Sequence, residues 1–405
     1  MNTPADPNAS LRRLMYTLLI VIAGAMAVGR IFSVELVYEP SLSRSFPDDP
    51  NHPRRKWPAT APRAMPTFSS NDRSRWAAVR ALVDNGTWVI GRRDKETKSD
   101  SGIIFEDGWQ SVDKMLNPDT LEFYSTKPPL LTFLVACEYW LLKTTFGWSL
   151  GDENQTYSVV RVSLLTFNVV PFVLGLFLLA CLVERFGTTD WGRILVVAAA
   201  CFGTMVAPFL ITLNNHTLAT CSVIIAVYAL VRILSSSGPH WGWFLVAGFF
   251  AGFTATNELP AAAFAAGVGL LLLVRFPKRT LLAFVPAALL PVAALLALNY
   301  AELGEFGFAY SKFGGPWYEY EGSHWKPRPD QQQRGIDWAK NKEGKAAYAF
   351  NLLLGHHGWF SLTPIYLLAL AGMVFGVRRL LRHRFAPLSP LLGGEGLGVR
   401  GKSLP

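Results

Sequence analysis

Eight apolar runs, each near the thickness of a lipid bilayer, constrain this chain more than any other feature. They read as helical spans at about 14–33, 162–183, 191–212, 216–234, 241–257, 259–275, 280–301 and 361–380. A hydrocarbon core about 30 Å thick takes roughly 20 apolar residues of helix. Only a helix or a closed barrel satisfies its own backbone there. Pro171, Pro208, Pro260 and Pro291 fall within these runs, where membrane helices tolerate them. The composition agrees, with 51% hydrophobic and 17% charged residues over 405 positions. The expected fold is an all-α polytopic membrane protein of about eight transmembrane helices. It forms a single domain over 1–385, followed by an irregular Pro/Gly-rich tail, 386–405, expected to be disordered.

The formal net charge of +9 could suggest nucleic acid as a partner. The basic residues, however, cluster beside the apolar runs, which is the pattern that orients membrane proteins. The clusters are Arg12/Arg13, Arg185/Arg193, Arg232, Arg275/Lys278/Arg279 and Arg378/Arg379/Arg382/Arg384. With the N-terminus cytoplasmic, eight spans place all of them, and both termini, on the cytoplasmic side. The lipid bilayer is thus the expected partner, nucleic acid is not, and the first run reads as a retained anchor. Cys137, Cys181, Cys201 and Cys221 all lie in apolar segments without metal-ligand spacing and read as packing residues.

The same parity puts the long insertion 34–160, Asn214–His216, Asn257–Glu258 and the loop 302–360 outside the cytoplasm. It requires that Leu130–Leu142 not cross the membrane. That stretch has about 13 residues, contains Glu138 and is followed by Lys143, which suits an interfacial helix.

Two segments of the insertion carry charge in a pattern that a connector does not need. Ser69-Ser70-Asn71-Asp72 precedes a helical pattern to Asp84, with Asn71 or Asp72 as N-cap and Gly86 as stop. Its apolar face would lie in the headgroup zone, with Arg73, Arg75 and Arg80 towards phosphates. Asp72 reads either as a cap alone or as a general base made more basic by desolvation. The second segment is Lys127-Pro128-Pro129-Leu130, where proline opens a helix and holds the lysine at its positive end. Free backbone N–H groups and an ammonium there make a phosphate site. The alternative is a lysine extending to the membrane surface.

Three further features complete the candidates. His356 and His357, between Gly355 and Gly358, could bind phosphate or relay a proton; adjacent histidines rarely share a metal. Trp317, Tyr318, Tyr320, Trp325 and Trp338 suit an interfacial aromatic belt or sugar stacking. His216 and Glu258 are ionisable groups at the ends of apolar runs, a position that invites a functional reading.

Together these residues resemble the GT-C integral-membrane glycosyltransferases, nearest to the protein O-mannosyltransferase and lipid A aminoarabinose transferase group (glycosyltransferase family 39-like). The resemblance rests on an acidic residue soon after the first span (Asp72 in Asn-Asp-Arg-Ser-Arg-Trp-Ala), Lys127-Pro-Pro-Leu130, and a Gly-His-x-Gly-type loop at Gly355–Gly358. It implies sugar transfer from a polyprenyl-phosphate donor to a lipid, glycan or protein acceptor at the non-cytoplasmic face of the inner or plasma membrane. Asp72 would then activate the acceptor and Lys127 hold the donor phosphate. Arg73, Arg75, His356 and His357 would be secondary phosphate ligands, and His216 or Glu258 would substitute for a second carboxylate. Two features depart from the pattern. Thr126 stands where relatives often carry an acid, which leaves a divalent metal unassigned, and Asn214-Asn215-His216 replaces the second carboxylate. The competing readings are a non-catalytic membrane scaffold or degenerate relative, and a lipid or solute transporter. Transport would call for mid-membrane polar residues and repeat symmetry, which the sequence lacks.

Overall fold

Apolar runs of bilayer length become helices because no other backbone satisfies itself in hydrocarbon, and the computed structural model follows that rule. It describes residues 7–34, 65–326, 344–356 and 358–385. Trp338, His357 and the tail 386–405 lie outside the described residues. Two compact units are present, Met1–Gly344 and Lys345–Pro405.

In chain order the first unit holds α1 (Ala9–Ser33), α2 (Ser70–Asp84) and four short strands. These are β1 (Gly91–Arg93), β2 (Asp100–Ser101), β3 (Lys114–Leu116) and β4 (Glu122–Ser125). Then follow α3 (Pro129–Phe146), α4 (Glu153–Phe186), α5 (Asp190–Phe209), α6 (Asn215–Leu234), α7 (Trp241–Asn257), α8 (Leu259–Arg275) and α9 (Pro277–Leu303). Five of these, α1, α4, α5, α6 and α9, are long and apolar enough to cross a membrane. The expected spans 241–257 and 259–275 are helices too. At 17 residues α7 reaches only about 26 Å, short of a bilayer core. In the second unit, Lys345–Leu362 and Ile365–Arg378 meet at 98° and qualify only as a pair, giving up to six candidate spans rather than eight. The chain is an integral membrane protein by this measure.

The bundle has two chemically distinct ends. At one, Arg12 pairs with Glu184 at 2.5 Å and Asp190 at 2.6 Å, and the Tyr16 hydroxyl donates to Glu184 at 2.9 Å. Arg232 stacks on Trp243 and Arg279 on Trp241. Most basic clusters of the parity argument therefore share this end. At the other end α4 runs on past α1, and Arg161 donates to the carbonyls of Phe32 and Val34. Between the ends, α7 lies against α9 with almost no gap. A Cβ on Gly248 or Gly252 would come within 2.2 and 2.1 Å of the Phe284 and Ala288 carbonyl oxygens. Small residues at this four-residue spacing are what let membrane helices approach so closely.

The insertion is not all-helical, as the sequence had suggested. Its strands form an antiparallel sheet in the order β2-β1-β4-β3. Each strand has only two to four residues, too few to show a period of two. The aromatic run 317–325 covers this sheet rather than forming a belt: Leu116 N–H donates to the Trp317 carbonyl and Trp325 Nε1 to Val112. Tyr318 is buried with Trp88, Met115 and Tyr124. The helix α3 is not among those able to span a membrane. It buries Leu131, Val135 and Tyr139, exposes Phe133, Trp140 and Leu141, and is tied to α2 through Asp84. That carboxylate accepts from Tyr139 at 2.9 Å and from Lys143 at 2.7 Å.

Candidate functional site

The first turn of α2 is held by a serine cap. Ser69, not Asn71 or Asp72, is the N-cap, and its hydroxyl accepts from the Asp72 N–H at 3.2 Å. This frees the Asp72 carboxylate to turn inward. One oxygen accepts from the Phe68 N–H and the other from the Leu213 N–H, both at 3.1 Å. Asp72 is 1% exposed. Burial pushes its carboxyl up to about 6, against the opposing pull of the two N–H donors and of Arg75. The helix face expected towards the headgroups packs within the protein. Residues 72–79 are all buried, charged and apolar alike.

Leu213 lies in the irregular stretch between α5 and α6. Asn168 clamps that stretch, donating to the Leu210 and Thr212 carbonyls at 2.8 and 2.7 Å, and Asn214 caps α6. A π-turn at Leu165–Val169 interrupts α4 where Asn168 sits. Such bulges reorient one side chain at little cost to the helix.

Lys127 sits where the sequence placed it, one residue before the cap of α3, but its ammonium is already paired. Asp113 accepts from Nζ at 2.9 Å, and both groups are buried. The pairing of Lys114 with Ser125 across β3 and β4 brings them together, since Asp113 just precedes β3 and Lys127 follows β4. Burial lowers the pKa of Lys127, with Asp113 opposing. Ser74 of α2 fixes the arrangement by bonding to the Asp113 carbonyl and the Ser125 hydroxyl. Asp113 was missed in the sequence because only the strand register relates it to Lys127.

Arg75 occupies the centre. It is 3% exposed, and one guanidinium nitrogen donates to the Asn215 side-chain oxygen. The Asn215 amide in turn donates to Glu258 at 2.7 Å and to the Asn257 carbonyl. Glu258 pairs with His216 Nδ1. Among the described residues no carboxylate lies within ion-pairing distance of Arg75, and its Nε has no partner. Burial lowers its pKa, and the more distant fields of Tyr310, Asp72, Asp113 and Glu258 only partly restore it. The outer edge of the network is open, since the side chain of His216 is 65% exposed and that of Glu258 29%.

The structure thus brings Asp72, Arg75, Lys127, His216 and Glu258 to one end of the bundle, linked through Leu213, Asn215 and Asp113. Arg73 is buried in the same turn. Arg80 is used elsewhere, pairing with Glu106 at 2.6 Å and lying over Trp109. His356 is exposed in a turn of the second unit, after α10 (Lys345–Leu354). Among the described residues no three His, Cys, Asp or Glu side chains gather so as to hold a metal ion. Chemically, the site offers a buried cation short of counter-charge beside a carboxylate–imidazole pair that solvent can reach. No protein-family model, curated protein or solved structure matches the chain.

Proposed function

We propose that this protein is a membrane glycosyltransferase that moves a sugar from a polyprenyl-phosphate donor to an acceptor at the non-cytoplasmic face of its membrane. One observation carries the reading. Arg75 is a buried guanidinium whose one hydrogen-bond partner among the described residues is a neutral amide. A buried charge is costly unless an opposite charge pairs with it, and a planar guanidinium suits a phosphate bidentately. A donor phosphate completes this site better than any side chain present.

In this reading the acceptor oxygen or nitrogen attacks the anomeric carbon while the bond from that carbon to the phosphate oxygen breaks. The bonding pair leaves with the polyprenyl phosphate, and Arg75 stabilises the charge that grows there, a contribution strongest in a site shielded from water. The acceptor proton passes to the Glu258–His216 pair, which has the exposure that a base must have to reach it. Asp72 then acts as a positioning residue that holds the α5–α6 break against α2. Lys127, paired with Asp113, holds the loop before α3 beside the same site. The non-catalytic scaffold reading is favoured by a different observation, the saturation of both Asp72 and Lys127 by internal partners.

Incorporation of labelled sugar from polyprenyl-phosphate donors into membranes tests the proposal. Wild type should transfer, whereas Arg75→Met and Glu258→Gln should each lose about 100-fold, the scale of removing one transition-state charge partner. Absence of transfer with every donor supports the scaffold reading. Full transfer by both variants would overturn the site.

A further inference from the structure

At the opposite end of the bundle, α1, α4 and α6 enclose a cavity of about 600 Å³ that the proposed chemistry does not use. Its mouth carries Arg13, Arg185 and Arg232, all exposed, and its floor is apolar, formed by Ile20, Phe177 and Ala180. Phe177 precedes Arg185 by eight residues, and Ile20 follows Arg13 by seven. Phe177 and Ile20 therefore lie about 10–12 Å below the arginines along the helices, and Ala180, five residues before Arg185, about 7–8 Å.

Charge at the mouth is not balanced from within. Glu184 lines the cavity, but Arg12 and Tyr16 already occupy its carboxylate. Arg232 and Arg185 lie over the rings of Trp243 and Phe186. Among the described residues none of the three mouth arginines has a carboxylate partner. The C-terminal ends of α4 and α6 contribute roughly half a negative charge each, against three full positive ones. The mouth thus remains cationic.

We infer that this cavity holds one anionic phospholipid, its phosphate among Arg13, Arg185 and Arg232 and an acyl chain against Ile20, Phe177 and Ala180. Position argues for a lipid. The cavity opens beside helices that cross the bilayer, and its cationic part lies at the helix ends, where headgroups are. The depth from charge to apolar floor matches an amphiphile and not a small soluble anion. Guanidinium groups also bind phosphate oxygens with a geometry that a zwitterionic headgroup's own cation would contest.

Native mass spectrometry of the full chain in detergent, exchanged with phosphatidylglycerol or phosphatidylcholine, tests this. Wild type should retain phosphatidylglycerol about tenfold or more over phosphatidylcholine. The double variant Arg185→Gln/Arg232→Gln, at two exposed positions, should abolish that preference. Ala180→Trp, which fills the floor and leaves every charge in place, should reduce retention of both lipids. An excess of glycerol 3-phosphate should displace neither. Equal retention of the two lipids by wild type would overturn the proposal without recourse to any variant. Displacement by glycerol 3-phosphate would overturn it as well, since the occupant would then be a free phosphate.

Discussion

Arg12 and Arg75 are buried to the same extent, 2% and 3% exposed, at opposite ends of one helical bundle. Arg12 meets two carboxylates and, through Glu184, a tyrosine hydroxyl. Among the described residues Arg75 meets one amide and no carboxylate. The first arrangement is closed: every charge is answered, and three segments of chain are pinned to one another. The second is open, because the guanidinium is desolvated yet carries an unanswered charge. Burial alone does not separate a structural arginine from a ligand-binding one. The identity of what faces the guanidinium does.

Three measurements would break or sharpen that contrast. The largest effect is expected at Asp72. Its native carboxyl titrates at about 6, above the ordinary value of 3.8, so the native state binds the proton more tightly than the unfolded chain. Stability is then greatest below about pH 4 as far as this group is concerned. It falls as pH rises towards 6, by about 3 kcal/mol in all, and is flat above that. Thermal melting across this range should show that slope in wild type and lose it in Asp72→Asn; an identical slope in both would place the titration elsewhere.

Next in size is Arg12→Met. It strands Glu184 and Asp190, and should cost about 2 kcal/mol, less than a fully buried pair because solvent reaches both acids. Denaturant unfolding in mild detergent reads this directly. The smallest change in stability belongs to Arg75→Met. Removing an unpaired buried charge should leave the midpoint within about 1 kcal/mol of wild type, in either direction. A loss as large as that of Arg12→Met would show Arg75 to be as structural as its counterpart.

Much of this arrangement is legible in the chain itself, for reasons that differ by region. The apolar runs and the basic residues at their ends are local signals, and they gave the helices and the common end of Arg12, Arg193, Arg232 and Arg279. The Ser69-x-x-Asp72 spacing is local too and signals a helix start, so the N-cap could have been placed at Ser69. The contacts that define the site are not local. Asn215 reaches Arg75 across 140 residues, and Asp72 receives Leu213 across 141. Asp113 meets Lys127 only through a strand register set by strands too short to leave a pattern. Lys127, expected to hold a donor phosphate, is paired with Asp113, and among the described residues the buried cation at this end without an ion-pairing carboxylate is Arg75. The helix count fell for a simpler reason. Periodicity marks 241–257 as helical but does not measure whether 17 residues suffice to cross.

The π-turn at Leu165–Val169 gives α4 an extra residue, and with it a fixed phase between its two halves. On the far side of the turn lies Glu184, which must face Arg12; within it lies Asn168, which must face the Leu210 and Thr212 carbonyls. One residue is worth about 100° of rotation around a helix. A single deletion here would restore a regular helix and take away the widened turn that presents Asn168 to those carbonyls. One continuous helix, α4, thus carries both the contact with Arg12 at one end and the clamp on the α5–α6 break at the other.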